Sequence, residues 1–122
     1  MADTPTSILA RQLEAAYAKH TQHAEFGASD HLYELQRLAV RTADAETGER
    51  KMIASALASA FGKLSEQAGG MPVTADAARN AFVALDQPIK DCLALLLGNV
   101  PGMTASDVLA KLLTAVRQVR LA

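Results

Sequence analysis

Apolar residues recur along this chain at spacings of three and four, the period of a helix that buries one face. Leu9, Leu13, Ala16, Tyr17 and Ala24 form a first stripe, and Leu32, Leu35, Ala39 and Thr42 a second. Ile53, Leu57, Ala60 and Leu64 form a third. Ala78, Phe82, Leu85, Ile89, Cys92 and Leu96 form a fourth, which runs through Pro88 without losing register. Val108, Leu109, Leu112, Leu113, Val116 and Val119 cover an arc of about 140° on the last helix. That width suits packing into a helical core better than a narrow coiled-coil seam. No stretch alternates with the period of a strand, and no repeat of solenoid length is visible. The pattern predicts one all-α domain spanning residues 1–122, an antiparallel bundle of four to five helices.

Capping residues punctuate these stripes. Thr4 before Pro5 predicts a first helix running to about Phe26, with Gly27 in the left-handed position beyond it. Ser29 or Asp30 is expected to cap the second helix. The third is expected to end at Gly69-Gly70, and Thr74 and Thr104 to cap the last two. Two junctions stay open at this level. The second and third stripes share a helical phase across Glu46-Thr47-Gly48, and Glu46 and Arg50 form a favourable i,i+4 pair. An unbroken helix from 30 to 68 would measure about 58 Å, too long for a compact protomer, and would need a second chain to cover its ends. A break near Thr47 is therefore expected. At Pro88 the segment is either one kinked helix from about 75 to 97 or two coaxial pieces with Asp86 as the second cap.

Composition supports the helical reading. The 122 residues include 25 Ala and 16 Leu but only ten Ile and Val together, and Ala and Leu are strong helix formers. Wholly apolar runs such as Leu93 to Leu97 are far too short to span a bilayer. Net charge is −1 with both signs dispersed, which gives no general attraction to nucleic acid or to an anionic membrane. A single Cys excludes an intrachain disulfide framework, and Cys92, on a buried stripe, reads as a small hydrophobe. The opening residues carry neither a basic region nor a long apolar region, so a cytoplasmic protein is expected.

Candidate chemistry is sparse. His20, His23 and His31 cluster around the first turn, and neutral imidazoles on adjacent helices can bind a divalent metal. Their spacing matches no HExxH or di-iron ExxH pattern, so a metal or small-ligand bundle is the alternative reading rather than the first. No GxSxG, P-loop or GxGxxG is present, and neither enzyme activity nor a cofactor is expected. A helix-turn-helix outline over the last two helices fails on its long turn and on the few cations, Lys111, Arg117 and Arg120, that follow.

Two features point instead to a partner surface. Ala54, Ala58 and Gly62 make a ridge of small residues on the third helix, where another helix backbone can approach. Tyr33 and Val40 make a minor apolar stripe on the outer side of the second. The expected function is a non-catalytic helical interaction module that self-associates as a homodimer and binds, at most, another protein besides itself.

Overall fold

The computed structural model describes residues 5–20, 28–70, 73–98 and 100–119. Its helices are α1 (Pro5–His20), α2 (Ser29–Ala45), α3 (Gly48–Gly70), α4 (Ala75–Leu97) and α5 (Ala105–Gln118), and no strand occurs among the described residues. The helices pack side by side as a bundle. The α2–α3 pair is the most extensive, and α3 also meets α4 and α5, while α1 bridges α2 and α4.

The break expected near Thr47 is present. Glu46 closes α2, its backbone N–H donating to the Ala43 carbonyl at 3.2 Å, and Gly48 opens α3 with φ +64°. An L side chain strains in that left-handed conformation, whereas glycine adopts it freely. Near the turn the Lys51 ammonium donates to the Ala43 carbonyl at 3.3 Å, and farther out Gln36 lies over Gly62, so the two helices run antiparallel.

Caps follow from the sequence at two starts and depart from it at a third. Thr74 Oγ1 accepts from the Ala77 backbone at 3.1 Å, and Thr104 Oγ1 from Asp107 at 3.2 Å. The N-cap of α2 is Ala28, not Ser29 or Asp30, and no side chain caps it. Leu32 N–H bonds to the Ala28 carbonyl, so Ser29 is already helical. The expected end of the first helix at Phe26 and the turn at Gly27 lie outside the described residues.

Pro88 sits inside α4, which continues unbroken from Ala75 to Leu97. Ala78, Leu85, Ile89, Cys92 and Leu96 are buried, as the stripe requires, while Phe82, its remaining member, is half-buried against the core. Proline removes one hydrogen bond to the carbonyl four residues back. That residue, Ala84, is exposed, so the carbonyl lies on the wet side of the helix. On α5, Val108, Leu112 and Val116 are buried, while Leu109 is half-buried and Leu113, at the edge of the arc, is exposed. Phe61, the largest fully buried side chain among the described residues, lies in the core with its ring 6.3 Å from that of Tyr17.

Arg50 locks the α2–α3 turn to the far end of α4. Its guanidinium donates to the Leu96 carbonyl and lies 3.4 Å from Glu46 Oε2. No basic residue occupies the last turn of α4 itself. Arg50 therefore supplies from another helix the cation that this negative end of the dipole favours.

Candidate functional site

The ridge of small residues is filled within the chain. Ala54 is fully buried and Ala58 is 8% exposed, both as members of the core. A Cβ on Gly62 would stand 2.6 Å from Gln36 Nε2, so the helix that approaches this ridge is the chain's own α2. Sequence reading found the close approach but could not say which helix makes it.

The other half of the expected surface faces solvent. Tyr33 is 56% exposed and Val40 41% exposed. They stand seven residues apart, two turns along one side of α2. Between them lies a shallow depression of about 380 Å³ shared by Gln36, Arg37 and Arg41. Asp30 and Glu34 are exposed toward the amino end of the helix, and Arg37 and Arg41 toward its carboxyl end. The outer face of α2 is thus apolar along one edge and runs from acidic at Asp30 and Glu34 through basic at Arg37 and Arg41 to acidic again at the exposed Asp44.

The histidines are only partly placed. His31 is half-buried near the amino end of α2, whereas the side chain of His20 and all of His23 lie outside the described residues. Among the described residues no group of three or more His, Cys, Asp or Glu is arranged to hold a metal ion.

A site that sequence reading missed lies between α1 and α4. A cleft of about 580 Å³ is lined by Glu14, Tyr17 and Ala18 from α1 and by Phe82, Asp86, Lys90 and Leu93 from α4. Tyr17 is buried, and its hydroxyl donates to Asp86 Oδ1 at 2.8 Å. The other oxygen, Oδ2, lies 3.0 Å from the Lys90 ammonium. Burial pushes the Tyr17 phenol far above its usual range, and the hydrogen bond and negative charge of Asp86 act in the same direction. The phenol therefore stays protonated and serves as a fixed donor. Because α4 does not break at Pro88, Asp86 is not a cap and its carboxylate is free to make these two contacts. A partial signal was present in sequence, since Asp86 and Lys90 are an i,i+4 pair. The match to Tyr17 was not readable, because it joins helices far apart in the chain.

Comparison with known proteins adds no function: no family model, no curated protein and no solved structure matches this chain.

Cys92 sits in the core, away from the clefts described above. It is free and fully buried. Burial first, and the charge of Asp91 second, push its thiol up to about 12. A thiolate is the reactive form, so this cysteine acts as a packing residue. Among the described residues no helix is long and apolar enough to cross a membrane.

Proposed function

We propose that this protein is a non-catalytic helical interaction module that self-associates as a two-fold dimer through the outer face of α2. The observation that carries the reading is the exposed pair Tyr33 and Val40 beside the exposed charges Asp30, Glu34, Arg37, Arg41 and Asp44. A two-fold contact pairs a surface with itself, reversed. With the axis midway between Tyr33 and Val40, each Tyr33 meets Val40 of the second copy. Arg41 of the second copy then falls opposite position 32, between Asp30 and Glu34. Asp44 faces the amino end of the partner helix. The antiparallel pairing thus matches Arg41 with Asp30 and Glu34 at each end, although the two Arg37 side chains meet near the axis. A parallel pairing sets every charge against its like. The proposed contact leaves out the ridge at Ala54, Ala58 and Gly62, because Ala54 and Ala58 are buried and Gln36 of the same chain lies over Gly62.

Helix α2 has 17 residues, a contact length of about 25 Å. A seam of that size falls below the area of standard stable interfaces and suits a weak, exchanging dimer. A cytoplasmic setting belongs to the same proposal, supported by the lone buried thiol, which suits a reducing compartment.

The experiment is sedimentation equilibrium from low to high micromolar concentration. The mass should rise from one chain toward two. Arg41→Glu should hold the protein at one chain, and adding Glu34→Arg should restore association by exchanging the charges. All these positions are exposed, so folding should be unchanged. A mass of one chain throughout, or a dimer indifferent to Arg41→Glu and Tyr33→Glu, would overturn the reading.

A further inference from the structure

We propose that the cleft between α1 and α4 is a binding site for a small organic ammonium ion with an apolar body. Its volume of about 580 Å³ lies within the range of small-molecule sites. Ala18, Phe82 and Leu93 supply apolar wall on both helices, and Glu14, Asp86 and Lys90 supply the charge. The charges decide the ligand class. Lys90 is paired with Asp86 at 3.0 Å, which leaves the Glu14 carboxylate as the surplus charge of the cleft. A monocation neutralises that surplus, whereas an anion would add to it.

One acceptor, Asp86, is held in place before any ligand arrives. The Tyr17 hydroxyl donates to Asp86 Oδ1 from a buried position, which fixes the carboxylate rotamer. A carboxylate can accept about four hydrogen bonds, so Asp86 keeps capacity for an ammonium after serving Tyr17 and Lys90. Glu14 precedes Tyr17 by three positions and Ala18 by four, and therefore stands on the same side of α1. Phe82 lines the same cleft, and an aromatic ring near a cation attracts it through the ring quadrupole. Two carboxylates among apolar walls give too few oxygens for calcium, which takes six to eight. An ammonium needs only the two or three acceptors present. This proposal is independent of the dimer, because the cleft and the outer face of α2 share no residue.

The test is a titration of the uniformly ¹⁵N-labelled protein by NMR with three probes of similar size: phenethylammonium, 3-phenylpropionate and 2-phenylethanol. Phenethylammonium should give saturable shifts centred on α1 and α4, with millimolar or tighter affinity. The anion should bind at least tenfold more weakly, and the alcohol between the two. Glu14→Gln, at an exposed position, should weaken phenethylammonium severalfold without changing the thermal midpoint. Asp86→Asn keeps an acceptor for Tyr17 and should weaken it about tenfold, the equivalent of ~1.4 kcal/mol. Equal binding of cation and anion would overturn the proposal. So would shifts outside the cleft, or no saturable shift with any probe.

Discussion

The Tyr17 hydroxyl and Asp86 Oδ1 stand 2.8 Å apart although 69 positions separate them in the chain. This bond fastens α1 to α4 at the floor of the cleft, and it makes one tyrosine sensitive to alkaline pH. The folded-state pKa of Tyr17 lies above the usual phenol value of 10.0, for reasons of burial and of Asp86. A group whose pKa rises on folding contributes stability in full below its unfolded value and loses it as pH climbs through the folded one. Cys92, whose thiol also rises on folding from 9.0, should start an alkaline fall near pH 9, and Tyr17 should steepen it above pH 10. Tyr17→Phe should remove the steepening above pH 10 and cost about 0.5–1.5 kcal/mol at neutral pH through the lost hydrogen bond. Urea midpoints measured across the pH range check both effects. An unchanged alkaline slope in Tyr17→Phe would remove Tyr17 as the cause.

Gly62 and Ala58 should respond in opposite ways to larger side chains. At Gly62 the atom in the way is the mobile end of Gln36. Gly62→Ala should therefore displace Gln36 and gain helix propensity, for a net stabilisation of up to about 1 kcal/mol. At Ala58 the surroundings are core, and Ala58→Arg should unfold the protein rather than merely separate two chains. Circular dichroism melts distinguish these outcomes. A folded, monomeric Ala58→Arg would restore the ridge as an intermolecular surface.

Arg50 carries two roles at once, holding the Leu96 carbonyl and standing beside the carboxylate of Glu46, whose side chain is 7% exposed. Arg50→Ala should cost about 1.5–3 kcal/mol, the range for a hydrogen bond to a charged group. Glu46→Gln in the Arg50→Ala background should recover part of that loss, because it removes a buried charge left without its cation. A double-mutant cycle in urea reads the coupling directly, and strict additivity would show that Glu46 and Arg50 act separately.

On α5 the contrast is between adjacent residues. Leu112 is fully buried and Lys111 exposed. Leu112→Ala should cost about 2–5 kcal/mol, and Lys111→Ala less than about 0.5 kcal/mol. Similar unfolding midpoints for the two would show that this face does not carry the core.

What the sequence made legible were properties of single helices. The fourth stripe survived Pro88 because apolar phase depends only on spacing, and the proline's lost bond falls on the solvent side at Ala84. Thr74 and Thr104 were readable as caps because a cap acts within three residues. The cap of α2 was misassigned because Ala28 contributes only its carbonyl, which any residue has. What escaped were relations between helices. Nothing in the residues themselves says that Gln36 covers Gly62, that Arg50 reaches Leu96, or that Tyr17 finds Asp86. Each depends on how three or more helices settle against one another, and a periodic stripe does not encode that choice.

The left-handed backbone at Gly48 has a consequence for how copies of this chain can combine. Helices α2 and α3 keep one apolar phase across the turn, so straightening two or three residues would turn the hairpin into a single rod without moving any stripe out of register. The surface that α2 now covers, Ala54, Ala58 and Gly62, would then accept α2 from another molecule through the same contacts. Such an exchange of identical segments requires no new interface, only a hinge that opens. Glycine at position 48 keeps it shut, because φ +64° suits glycine and costs another residue about 1–2 kcal/mol. No atom crowds that position, so a Gly48→Ala chain would feel the backbone strain alone. It should exchange segments at high concentration and elute as a dimer that Arg41→Glu does not dissociate.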